Sequence, residues 1–135
     1  MQMKVLVIDD DREMTDLLRT TLEQDTYKVI MPETGGDGVE LAQQTRPDVI
    51  IVDLFMPDVD GLEVCREIRK ISSVPILVLS AINKPEIVAQ ALDAGADDYL
   101  IKPIKIGVLI AYLNKIARRA SIGGNAVQSG SLYSL

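Results

Sequence analysis

Apolar, largely β-branched residues come in short runs at Val5–Ile8, Lys28–Met31, Val49–Val52, Ile76–Leu79 and Tyr99–Ile101, separated by longer stretches with helical spacing. The first, third and fourth runs scarcely alternate, the pattern of parallel strands covered on both faces. In the first helical stretch Met14, Leu17, Leu18 and Leu22 share a face, with Asp16, Arg19, Glu23 and Gln24 mostly opposite. Val39, Leu41 and Ala42 mark a second core-facing stripe, Val64, Ile68 and Ile71 a third, and Ile87, Val88, Ala91 and Leu92 a fourth. A fifth helix is predicted from about Ile106 to Arg119, with Ile106, Leu109, Leu113 and Ile116 inward and Val108 and Tyr112 beyond that stripe.

Five strand–helix units with right-handed crossovers predict an α/β fold: a flavodoxin-like, doubly wound, five-stranded parallel sheet of order 2-1-3-4-5 with five helices. In such a sheet ligands bind at the carboxyl ends of the strands, near the switch point between strands one and three. From Ser121 the chain turns to Gly, Ser and small residues without helical period, so residues 1–120 are expected to form one domain. Residues 121–135 are read as a linker or C-terminal tail, either the natural end or the start of an effector domain.

A length of 135 residues with 47% hydrophobic content suffices for one core without disulfides. The lone Cys65 has no second thiol to pair with and no histidine beside it, and is read as a small buried residue. With no histidine in the chain, a Ser/His/Asp triad, a His-ligated zinc and a phosphohistidine are excluded. The net charge of −6 argues against holding DNA directly. The N-terminus runs straight into a strand, and no apolar stretch approaches the roughly 18–20 residues of a membrane span, so a cytoplasmic protein without a membrane partner is expected.

The strand ends carry the chemistry: Asp9, Asp10 and Asp11 after the first, Asp53 after the third, Ser80 after the fourth, Lys102 after the fifth. Asp11, just before the first helix, suits an N-cap. Carboxylates converging from two adjacent strand ends would repel one another in a partly buried cleft. The arrangement asks for a hard divalent cation with oxygen ligands, and Mg2+ is the natural occupant.

VLVIDDD, DVIIVDLFMPDVDGLEVCREIR, PILVLSA and GADDYLIKP resemble the corresponding segments of two-component response regulator receiver domains, in order, over about residues 3–119. The resemblance implies that Asp53 is the phosphoacceptor, that Asp9 and Asp10 bind the metal with Asp10 the direct ligand, and that the backbone carbonyl of Phe55 completes the set. It implies a cis peptide between Lys102 and Pro103 that aims the lysine into the cleft. Magnesium and Lys102 would neutralise the incoming phosphoryl oxygens, Ser80 would bond one of them, and Tyr99 would act with Ser80 as the switch. A sensor histidine kinase is the implied partner.

ADDY and the terminal Ala-Arg-Arg are similar to the OmpR/PhoB-type winged-helix transcription regulators, which dimerise through the fourth helix, fifth strand and fifth helix. Asp97, Asp98 and Arg119 fit that subfamily's salt-bridging positions, but Val88 and Tyr112 stand where basic residues are expected. A homodimer with more apolar contact than usual is therefore expected, with DNA reached only through a separate effector domain. A dehalogenase-like phosphohydrolase would need a second aspartate two residues after the nucleophile, where this chain has Phe55. A pseudo-receiver, an interaction module that works without phosphorylation, would have lost the acidic pair, the acceptor or the lysine, and all are present. A flavin site would need a phosphate-cradling loop where Asp9 to Asp11 stand.

Overall fold

The computed structural model describes residues 2–24 and 26–123, with side chains through Arg119. The elements are β1 (Met3–Ile8), α1 (Arg12–Leu22), β2 (Tyr27–Ile30), α2 (Gly38–Thr45), β3 (Val49–Val52), β4 (Phe55–Met56), β5 (Val59–Asp60), α3 (Gly61–Ile71), β6 (Ile76–Ser80), α4 (Pro85–Asp93), β7 (Asp98–Ile101) and α5 (Ile106–Gly123). Contacts divide the chain into a first unit through Ile104 and a second that begins at Lys105.

In the first unit a parallel sheet runs β2-β1-β3-β6-β7, and the two-residue strands β4 and β5 pair as a separate antiparallel ladder. Counting only the sheet, the order is the expected 2-1-3-4-5. The central strands β1, β3 and β6 are buried along their apolar runs, whereas the edge strand β2 alternates buried and exposed positions. On one face Leu6, Ile8, Ile50, Val52, Ile76 and Val78 join a core with Ala42 of α2, Val64, Cys65 and Ile68 of α3, and Ala91 of α4. Val5, Val7, Val49, Ile51, Leu77 and Leu79 occupy the opposite pleat and are also buried.

Helix entries follow local chemistry. Asp11 caps α1 by accepting from Met14 N at 3.2 Å, and Asp60 caps α3 by accepting from Leu62 N at 2.9 Å, bonds of this kind contributing about 1 kcal/mol each. Pro85 opens α4 where its missing N–H costs nothing.

Three expected core residues lie outside it: Leu17 is 52% exposed, Ile71 45% and Leu92 45%. In their place α1 buries Thr15, α3 buries Cys65 and α4 buries Ala91. Successive helical residues differ by about 100° in direction, so a stripe centred on Leu18 or Ala91 turns the adjacent Leu17 or Leu92 aside, and Ile71 is exposed as the last residue of α3. Thr15 tolerates burial because its hydroxyl donates to Arg12 O at 3.1 Å.

In the second unit, α5 buries Leu109 and Leu113 and leaves Val108 exposed, as its stripe predicts. The helix continues past Arg119 to Gly123, since Ala120, Ser121 and Ile122 contain no breaker and glycine is the first poor helix former met. The rest of the expected tail, 124–135, lies outside the described residues.

Cys65 is wholly buried, and burial pushes its thiol from an ordinary 9.0 up to about 11, against a smaller opposing pull from Arg69 and Arg66. Iodoacetamide at pH 8 is expected to alkylate it only as fast as the chain opens, and denaturant should make it labile. A raised thiol value stabilises the fold below about pH 9 and that contribution disappears as pH rises through about 11. Rapid alkylation of native protein, read by intact mass, would contradict this burial.

Candidate functional site

The carboxyl ends of β1, β3, β6 and β7 converge on the residues singled out above. Their placement comes from ladder bonds that continue past the strands: Asp53 N donates to Ile8 O at 2.9 Å, and Lys102 N donates to Ser80 O at 2.8 Å. Backbone pairing thus sets the acidic and basic groups side by side before any side-chain contact is made.

Asp9, Asp10 and Asp53 each offer a carboxylate oxygen, and the three lie within 4.8 Å of one another. Lys102 Nζ donates to Asp9 Oδ2 at 2.9 Å and stands 3.8 Å from Asp53 Oδ2. The side chains of Asp9 and Asp53 are buried or nearly so, Lys102 is 19% exposed, and Asp10 opens to solvent. Asp9 Oδ1 also accepts from Asp11 N at 2.9 Å, and Asp53 Oδ1 accepts weakly from Phe55 N at 3.4 Å. Beside Asp9 and Asp10 a cavity of about 390 Å³ opens between the loops at 31–36 and 56–59.

The charges are unbalanced, and the titration of the groups reflects it. Burial raises the Asp53 carboxyl above its ordinary value, the charge of Asp9 adds to the rise, and Lys102 only partly offsets it. Burial by itself would lower the Lys102 ammonium, but its bond to Asp9 and the charges of Asp9, Asp53 and Asp11 carry it above the ordinary value. Lys102 therefore stays protonated beside a cluster that holds more negative charge than it can neutralise.

The donor set fits magnesium. All three donors are hard carboxylate oxygens gathered within 4.8 Å of one another, the donor type and close grouping that Mg2+ takes. One open side, at Asp10, leaves room for water or an incoming oxygen.

Ser80, at the end of β6, is wholly buried, and its Oγ accepts from Ile82 N at 3.2 Å. Tyr99 is half-buried, and its hydroxyl donates to Ile82 O at 2.7 Å. Both residues thus hold the backbone of Ile82, one at its N–H and one at its C=O. The peptide between Lys102 and Pro103 is cis. Phe55 is exposed beside Asp53.

Of the residues expected on an output face, Val88, Asp97 and Asp98 belong to the first unit, Tyr112 and Arg119 to the second, and all are at least partly exposed. Asp97 has intrachain work as well: its Oδ2 accepts from Ile76 N at 2.7 Å and from Arg69 Nη2 at 3.1 Å. Arg69 also reaches the carbonyls of Ser72, Val74 and Gly95, tying the end of α3 to the turn before β7. Nothing local in the sequence marks Arg69, whose partners lie up to 28 residues away along the chain. The one sequence signal for Gly61 is the DG pair that opens α3.

The family model described as the response regulator receiver domain matches residues 5–114. The chain is 46% identical over 117 residues to the KDP operon transcriptional regulatory protein KdpE of Escherichia coli (strain K12), covering 87% of this chain and 52% of that protein. It is 38% identical over 133 residues to the response regulator MprA of Mycolicibacterium vanbaalenii, covering 98% of this chain and 58% of that protein. The chain thus spans about half the length of these relatives. Among solved structures, a two-component response regulator from Clostridium difficile superposes with a TM-score of 0.84 at 30% identity, covering 88% of this chain and 98% of that one. The BeF3-activated N-terminal receiver domain of Klebsiella pneumoniae RstA gives 0.79 at 28% identity, covering 85% and 98%.

Proposed function

This chain belongs to the response regulator receiver domains, and on that premise we propose that it is a phosphorylation switch in which Asp53 accepts a phosphoryl group from the phosphohistidine of a sensor histidine kinase. The observation that carries the reading is the meeting of Asp9, Asp10 and Asp53 within 4.8 Å, with Lys102 Nζ bonded to Asp9 and 3.8 Å from Asp53.

An oxygen of Asp53 attacks phosphorus, the bond from phosphorus to the histidine nitrogen breaks, and that nitrogen keeps the electron pair. Asp9, Asp10, Asp53 and the carbonyl of Phe55 would hold Mg2+, which would supply positive charge against the transferring oxygens. Lys102 contributes a fixed ammonium 3.8 Å from Asp53 Oδ2, set against the negative charge that gathers on the transferring group. The chain assists its own modification but acts as a signalling switch and turns over no separate substrate.

The signal leaves through Ser80 and Tyr99. A phosphoryl oxygen competes for the Ser80 hydroxyl, which gives up the N–H of Ile82, and Tyr99 is already tied to the same residue through its carbonyl. Movement at Ile82 therefore reaches Tyr99 directly. The output is a homodimer formed through Val88, Asp97, Asp98, Tyr112 and Arg119, and it controls transcription in the cytoplasm, with DNA reached only through a separate effector domain where one follows. Residues 1–120 make up the receiver domain in this reading, with 121–135 as linker or tail.

Incubation with acetyl phosphate and Mg2+ is expected to add one phosphoryl group, read by intact mass. An unmodified chain would favour the pseudo-receiver. Light scattering with beryllofluoride and Mg2+ should show monomer passing to dimer, and only monomer in both states would remove the dimer from the reading.

A further inference from the structure

We infer that Gly61 is a positioning residue for the phosphoacceptor: its lack of a side chain lets the first turn of α3 lie against the backbone of residues 53–54, and that contact sets where the Asp53 carboxylate stands. The inference rests on the reading of Asp53 given above.

The chain from Asp53 to Gly61 is a closed loop. At its tip Phe55 pairs with Asp60 and Met56 with Val59, and at its base Gly61 N donates to Leu54 O at 3.0 Å. Asp60 then starts α3 by accepting from Leu62 N at 2.9 Å. Gly61 is buried at this base. A Cβ added there would overlap the carbonyl oxygen of Asp53, lie 2.5 Å from Leu54 Cα and lie 3.0 Å from the Leu54 carbonyl carbon. All three obstacles are backbone, so no rotamer change relieves them.

A methyl group at Gly61 must therefore push α3 and the end of β3 apart. Asp53 is held on its other side by the bond from its N–H to Ile8 O at 2.9 Å, so the push tilts the residue instead of carrying β1 along. Asp9, Asp10 and Lys102 stay behind on other strands. A small rearrangement of this kind falls directly on the reacting oxygen, where a misplacement of about 1 Å can cost on the order of 100-fold in rate. By contrast, the nearest obstacles to a Cβ at Gly38 are all side-chain atoms of Ile8, and a Cβ at Gly107 would meet nothing within 4 Å.

The experiment compares wild type, Gly61→Ala and Ile68→Val. Ile68 is a wholly buried residue two turns further along the same helix, and its truncation lowers stability without adding any atom at the Gly61 contact. Each protein is tested for thermal midpoint, for Mg2+ affinity by calorimetry, and for the rate of Asp53 labelling by acetyl phosphate at saturating Mg2+, well below the midpoint. Gly61→Ala is expected to label about 10-fold or more slowly and to bind Mg2+ several-fold more weakly. Ile68→Val should lose thermal stability yet label at the wild-type rate. Labelling of folded Gly61→Ala within about twofold of wild type, a change too small for displaced reacting atoms, would overturn the inference.

If Gly61→Ala does not fold, Asp60→Ala carries the test, because it loosens the same turn from the helix side. Slower labelling would support the positioning role, and a wild-type rate would overturn it. If wild type takes no phosphoryl group, the reading of Asp53 fails, and Mg2+ affinity alone then decides whether Gly61 places the carboxylate.

Discussion

Asp53→Asn is expected to take no phosphoryl group from acetyl phosphate and Mg2+ under conditions that label wild type completely. The amide has nearly the same shape, so it keeps the backbone bond from Asp53 N to Ile8 O and the packing at the end of β3. What it lacks is an anionic oxygen with an available electron pair, and no histidine stands in the chain to replace it. Asp9 and Asp10 share the cluster, but Asp9 is bound by Lys102 and Asp11 N, and Asp10 is exposed. The substitution also removes one of three mutually repelling charges. In Mg2+-free buffer the variant should unfold at a midpoint higher by a few degrees, about 1 kcal/mol. Added Mg2+ should raise the midpoint of wild type more than that of the variant, because the variant has lost a ligand. Equal labelling of both proteins would move the acceptor to another residue.

Lys102→Ala has the second largest expected effect, and its sign depends on the metal. Without Mg2+, Asp9 and Asp53 lose the ammonium that stands 2.9 and 3.8 Å from them and are left as buried like charges. Breaking one side of a fully buried pair costs about 3–5 kcal/mol, and the open side at Asp10 reduces this to about 2 kcal/mol. With Mg2+ most of that loss should return, because the cation takes the place of the ammonium at Asp9. Mg2+ affinity should therefore rise in the variant. Labelling should nevertheless fall about 100-fold or more, the usual consequence of removing one fixed donor to developing negative charge. Calorimetric Mg2+ titration together with the labelling rate separates the two roles. A variant that labels at the wild-type rate would leave Lys102 as a charge balance alone.

The rest of the molecule shows where sequence reasoning stops. The Asp9–Asp10–Asp53–Lys102 cluster was readable because each member ends a strand, and a parallel sheet of known order brings consecutive strand ends to one edge. The buried faces were read less well. Leu17 and Leu92 are apolar and stand near the right period, but each lies one residue off the stripe that packs, while Ile71 keeps the period and is exposed as the last residue of α3. Which of two adjacent apolar residues turns inward depends on how closely the helix approaches the sheet, and small residues such as Thr15, Cys65 and Ala91 permit that approach.

Arg69 and Gly61 belong to a different class. The role of Arg69 exists only because Gly95 and Asp97 come back to the end of α3 after another strand and helix. The role of Gly61 exists only because Asp53 and Leu54 lie within contact of its Cα.

Local pattern by itself therefore determined the five strands of the main sheet, the five helices, the strand order and the identity of the charged strand ends, because these follow from periodicity and from the handedness of crossovers. Tertiary structure alone decided the rotation of α1 and α4, the pairing of β4 with β5, the shared hold of Ser80 and Tyr99 on Ile82, and the contact between Gly61 and the backbone before it. Those features are distances between groups on separate elements, fixed to tenths of an ångström by close packing, and a linear order of residues carries no such distances.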